Sequence, residues 1–102
     1  MKKIFVIGSL KHADVIEKYA ESLKKTYEVD YVKKEHNKRL SFLIRQAFDK
    51  IEKADVIVAI CKEDGTFGDG TCYEMEYARR VGKTIMMVGY EIASRKGGIK
   101  FS

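Results

Sequence analysis

Val56-Ile57-Val58-Ala59-Ile60 is apolar at every position and β-branched at all but Ala59. A strand that faces water on one side alternates apolar with polar residues. A run that is apolar on both faces belongs in the middle of a parallel sheet, covered above and below by helices. These five residues therefore require amphipathic helices in the sequence on either side of them.

The flanking sequence supplies those helices. Upstream, Leu40, Leu43, Ile44, Ala47, Phe48 and Ile51 recur at helical spacing and predict a helix near 39–53. Before it, Tyr27-Glu28-Val29-Asp30-Tyr31-Val32 alternates as a half-buried or edge strand does. Ile16, Tyr19, Ala20, Leu23 and Tyr27 place a crossover helix between Ala13 and Tyr27, and Ile4 to Ile7 reads as the first strand. Downstream, a third helix is predicted from about Thr71 to Val81, stopped by Gly82, and Thr84-Ile85-Met86-Met87-Val88 is the fourth strand. The aperiodic stretch from Cys61 to Gly70, rich in glycine and acidic residues, is the one long loop. The Gly97-Gly98 tail either adds a short fifth strand or frays.

Strands alternating with helices define an α/β fold, here a flavodoxin-like three-layer sandwich. Right-handed crossovers give its parallel sheet the order 2-1-3-4. At 102 residues, the chain 1–102 fits a single domain with one hydrophobic core and is too short for two. In such sheets ligands bind beyond the carboxyl ends of the strands, where the strand order reverses. Gly8-Ser9-Leu10 and the loop 61–71 are expected to face each other across that crevice.

Composition does not choose the partner. A formal charge of +5 attracts anions such as nucleotides, nucleic acid or acidic lipid headgroups, but the lysines are spread over helix faces and form no arginine/aromatic stripe, so most of the charge reads as ordinary solvated surface. Cys61 and Cys72 are too few for a disulfide scaffold and match no zinc spacing, which points to a reducing cytosol and no metal. The apolar run at Ile4 to Ile7 falls short of the roughly 7–15 residues of a signal-peptide core and reads as a strand.

Several chemistries lack their residues. Gly8-Ser9-Leu10 contains neither GxGxxG nor a phosphate-loop lysine. No acidic pair ends the first strand, as a phosphoacceptor requires, and Cys72 and Arg79 enclose six residues where a small phosphatase needs five. What remains is Asp69-Gly70-Thr71-Cys72-Tyr73-Glu74, a glycine turn entering a helix at the crevice. A carboxylate in a first helical turn is held ionised by the helix dipole and suits attack on an electrophilic carbon, while Gly70 permits close backbone approach. The same spacing, Thr71-x-x-Glu74, is also a capping box, in which Glu74 only bonds back to the N-cap amide. Spacing alone leaves both readings open.

Across Ile4-Phe5-Val6-Ile7-Gly8-Ser9, Ala54-Asp55-Val56-Ile57-Val58-Ala59, Gly70-Thr71-x-x-Glu74-x-x-Tyr77-Ala78 and Gly82-Lys83-Thr84-Ile85, the chain resembles the nucleoside 2-deoxyribosyltransferase superfamily, which includes nucleotide N-glycoside hydrolases. The resemblance implies an enzyme without cofactor, acting on a small-molecule nucleoside or nucleotide rather than on a nucleic acid polymer or a membrane. Glu74 would attack the anomeric carbon of a 2-deoxyribosyl group, and water or another base would resolve the glycosyl-enzyme. Gly8 and Ser9 would line the sugar or phosphate end, with Asp69, Gly70 and Thr71 near the sugar hydroxyls. Two positions depart from the pattern: Phe5 stands where a tyrosine steadies the nucleophile, and Ala47 where an aspartate protonates the leaving base. The alternative is a non-catalytic nucleotide-binding module in the same crevice, or an assembly domain in which Glu74 is only a cap. A homodimer is expected in every case, because a four-strand sheet leaves edges.

The remaining candidates read as structural. Asp55 opens the third strand at the end far from the crevice. Cys72 fits a small buried residue better than a redox thiol. His12 and His36 read as surface residues, and Tyr73, Tyr77 and Tyr90 as packing or as platforms for a base.

Overall fold

A computed structural model describes residues 2–32 and 40–95. Its elements are β1 (Lys3–Gly8), a 3-10 turn (Leu10–His12), α1 (Ala13–Leu23), β2 (Glu28–Tyr31), α2 (Leu40–Lys53), β3 (Val56–Ile60), α3 (Asp69–Arg80), β4 (Thr84–Val88) and α4 (Tyr90–Ser94). All strand pairs are parallel, and the sheet order is β2-β1-β3-β4. The α/β class and the expected strand order are thus those of the structure. The fifth strand expected at Gly97-Gly98, and His36, lie outside the described residues.

Alternation along the central strands divides the interior into two cores. In β1 and β3 the residues Ile4, Val6, Val58 and Ile60 face α1 and α4, packing with Ile16, Tyr19, Leu23 and Ala93. Phe5, Ile7, Ile57 and Ala59 face the other side and pack with Ala47 and Ile51 of α2 and Met75 and Ala78 of α3. Ile57 and Val58 are completely buried, on opposite faces. Each contributes on the order of 1.5–3 kcal/mol by leaving water, which is why this run dictates a doubly covered sheet.

The register of β1 against β3 is fixed at the end opposite the crevice. The Asp55 carboxylate accepts a bond from the Lys3 amide at 2.9 Å, and the Asp55 amide donates to the Lys3 carbonyl at 2.8 Å. Asp55 is therefore structural, as its place in the sequence implies. At the outer side of the sheet, the Tyr31 hydroxyl donates to Glu17 at 3.1 Å, joining β2 to α1.

Helix boundaries moved in two places. The chain leaves α1 at Leu23 rather than Tyr27, because residues 24–26 form a turn in which the Thr26 and Tyr27 amides bond back to the Leu23 carbonyl. The third helix starts at Asp69, two residues before Thr71, and ends before Gly82, whose φ of 75° only glycine adopts easily. The short helix α4 has no counterpart in the sequence reading. Its five residues are too few to show a period, and its place is set by Ala93, Tyr90 and Ile92 docking on the α1 side.

Among the described residues β4 is an edge strand. Met86 and Met87 point to opposite faces and are both exposed, Met87 at 62%. Among the described residues no helix is long and apolar enough to cross a membrane.

Candidate functional site

A cavity of about 230 Å³ opens at the carboxyl end of β1. One wall is the turn after β1, Gly8 to Lys11. A second is the start of α3, Gly68 to Thr71 with Glu74, and a third is the apolar wall of Phe5, Val32, Leu43, Ile44 and Ala47. All six residues expected at the site, Gly8, Ser9, Asp69, Gly70, Thr71 and Glu74, line this one cavity.

Local structure explains how each wall is held. A Cβ on Gly8 would come within 3.1 Å of Ile16 Cδ1 and 3.3 Å of the Ile60 carbonyl, so glycine lets α1 and β3 close tightly around the end of β1. Ser9 caps the following 3-10 turn, its Oγ accepting from the Lys11 amide at 3.3 Å. On the α3 side, the N-cap is Gly68, and no side chain caps the helix. Its first amides, which have no partner within the helix, belong to Asp69 and Gly70, and both residues line the cavity.

The loop contributes less than the sequence suggests. Only its end, from Gly68, reaches the cavity. Residues 62–66 close on themselves: the Lys62 amide bonds to the Thr66 carbonyl at 2.8 Å, and the Asp64 carboxylate accepts from the Thr66 amide and hydroxyl at 3.0 and 2.7 Å. The Thr66 hydroxyl bond is the main reason the Asp64 carboxyl is held below its ordinary range. His12 reaches this loop, with Nε2 3.4 Å from Glu63 and its ring 4.9 Å from that of Tyr90. It is a partly covered tie between the first turn and the loop, not the open surface residue its isolation in sequence implies.

Glu74 decides between the two readings of its motif. Because α3 begins at Asp69, Thr71 is its third residue and is buried, and Glu74 is its sixth. A capping box requires Thr71 at the N-cap, so that role is removed. The expectation that a first-turn dipole keeps Glu74 ionised falls with it, since the dipole acts within the first turn. Glu74 instead shares the inward face of α3 with Thr71, Met75 and Ala78, and burial pushes its carboxyl up to about 7. Among the described residues it has no hydrogen-bond or ion-pair partner. It is a partly buried carboxyl in the lining of the cavity.

Protein-family models, curated proteins and solved structures yield no match to this chain. Function must be argued from the geometry.

The aromatic candidates separate cleanly. Tyr77 stacks on Phe48 with centroids 4.2 Å apart, and its hydroxyl donates to Glu52, a bond that raises the phenol above its ordinary range. Tyr90 packs on His12. Neither lines the cavity, and the exposed Tyr73 belongs to a shallow groove with Asp69, Cys72 and Glu76 on the outer side of α3. Cys72 is exposed rather than buried, its thiol donating weakly to the Phe67 carbonyl at 3.7 Å. Among the described residues no group of His, Cys, Asp or Glu could hold a metal ion.

Sequence reasoning missed Lys11, Val32, Leu43 and Ile44 as cavity walls. Leu43 and Ile44 carry the same helical spacing as core residues, and only the gap between α2 and the start of α3 distinguishes them. Lys11 had a weak signal, a lone cation just after a glycine-serine turn at a strand end.

Proposed function

We propose that this protein cleaves or transfers the N-glycosidic bond of a deoxynucleoside or deoxynucleoside monophosphate, with Glu74 as the nucleophile. The observation that carries the proposal is a carboxyl on the inward face of α3, without a partner among the described residues, in the lining of a cavity that is polar backbone on one side and apolar side chain on the other. A nucleoside has the same division: hydroxyls at one end, a flat base at the other.

The polar edge, with Ser9, Thr71 and the amides at Asp69 and Gly70, takes the sugar hydroxyls or a 5′-phosphate, and Lys11 at the rim adds a positive charge. The base lies along Phe5, Leu43 and Ala47. This orientation brings the anomeric carbon to Glu74. The ionised carboxylate oxygen bonds to that carbon as the bond to the base nitrogen breaks, its electron pair leaving with the base. Water, or a second base, then attacks the same carbon and returns the pair to Glu74. The resemblance to nucleoside 2-deoxyribosyltransferases supports the same role for Glu74, and the two free cysteines accord with a reducing cytosol. A homodimer belongs to the proposal through the open edge of β4 and its exposed Met86 and Met87, and gel filtration of Met87→Lys against wild type tests it.

A second reading, a nucleotide-binding module, is favoured by one observation: Phe5 and Ala47 are buried apolar residues in the cavity wall, and neither supplies Glu74 with a polar helper. One experiment separates the two. Wild type and Glu74→Gln are incubated with deoxynucleosides and their monophosphates, and free base is measured by chromatography. Base release that disappears in the variant supports the enzyme. Binding without release in wild type supports the module, and release that survives in Glu74→Gln refutes the nucleophile.

A further inference from the structure

Resting on the N-glycoside reading, we infer that the preferred substrate of this cavity is a cationic N-glycoside, a pyridinium nucleoside or its monophosphate, rather than a neutral nucleoside. The reason is the leaving group. A neutral base departs as an anion unless a general acid protonates it, and an anion is costly against apolar walls. Among the described residues, the wall that would hold the base is Phe5, Val32, Leu43, Ile44 and Ala47, none of which carries a proton to give. Lys11 and Asp69 are exposed and stand on the other side, with the turn after β1 and the start of α3. Glu74, spent as nucleophile, cannot serve as acid in the same step.

A pyridinium leaving group needs no proton. Glu74 forms its bond to the anomeric carbon, the carbon–nitrogen pair passes to the ring nitrogen, and the positive charge is consumed as the base leaves neutral. Water then attacks the anomeric carbon, the ester bond breaks back to the Glu74 carboxylate, and one proton goes to solvent. The ground state fits as well. A cation beside Glu74 pairs with a carboxylate that has no other partner among the described residues. The cavity, at about 230 Å³, is smaller than the roughly 300–1,000 Å³ typical of ligand sites, so it accommodates a mononucleoside rather than a dinucleotide.

The test uses the full chain with nicotinamide 2′-deoxyriboside, its 5′-monophosphate and the neutral deoxynucleosides and their monophosphates, so that the sugar is the same throughout. Base release is followed by chromatography, and each rate is divided by the same compound's uncatalysed rate. The expected enhancement for the pyridinium compounds exceeds that for the neutral ones by at least about 100-fold, the low end of what a general acid supplies. It disappears in Glu74→Gln. Ala47→Asp, which places a carboxyl in the base wall, narrows the ratio by raising the neutral rates; should that variant fail to fold, the wild-type ratio decides alone. Equal enhancement of neutral deoxynucleosides, lost in Glu74→Gln, overturns the cationic preference and leaves the N-glycoside reading standing. Release from no compound overturns both.

Discussion

Replacing Glu74 by glutamine tests the cavity without assuming any substrate. Burial raises the Glu74 carboxyl from its ordinary 4.5 to about 7 in the folded chain, whereas in the unfolded chain it titrates near 4.5. Between those values the folded state holds a proton that the unfolded state has released, so folding stability falls as pH rises. The stabilisation of the protonated form is complete below about pH 4.5 and is lost as pH passes through about 7. At about 1.4 kcal/mol per pH unit the difference is up to about 3 kcal/mol, reduced where water reaches the half-buried carboxyl. Lys11 and Asp69, the other charged residues around the cavity among those described, are exposed and remain in both proteins, so they cancel in the comparison. Urea unfolding of wild type and Glu74→Gln from pH 4.5 to 8.5 gives the measurement. Glutamine cannot ionise, so the variant gains on wild type with rising pH, by roughly 1–3 kcal/mol in total. Parallel stability curves across that range would refute the placement of Glu74 in a desolvating cavity.

Three further outcomes follow from the same geometry. If Glu74 attacks as the carboxylate, base release rises about tenfold per pH unit below about 7 and levels off above it, and a profile already flat from pH 5 counts against the nucleophile. Gly70→Ala meets no atom within 4 Å and places a better helix former in α3, so it raises stability by about 0.5–1 kcal/mol in thermal unfolding. The same change lowers ligand affinity, measured by calorimetry, because the new methyl stands at the polar edge of the cavity. Asp55→Ala leaves the Lys3 amide without its carboxylate acceptor and lowers the urea midpoint by the equivalent of about 1 kcal/mol, while base release at saturating substrate is unchanged.

Much of this protein was legible as a string. Val56 to Ile60 could only be covered on both faces, since its β-branched apolar residues leave no side for water, and the helical spacing of Leu43, Ala47 and Ile51 supplied one cover. Right-handed crossovers with helices on both faces pointed to the order β2-β1-β3-β4, which is the order observed, and that order located the crevice at Gly8 and the start of α3. What the string left open was Glu74. Thr71-x-x-Glu74 is the same pattern whether the helix begins at Thr71 or at Asp69, because local spacing carries no information about which residue ends the preceding loop. Tertiary packing decided it: Thr71 is buried as the third residue of α3, which makes Glu74 the sixth, beyond the turn that a capping box spans. The raised carboxyl has the same origin, since it comes from burial, and Glu74 shares its cavity with residues such as Phe5 and Ala47 that lie far apart in sequence and meet only in the folded chain.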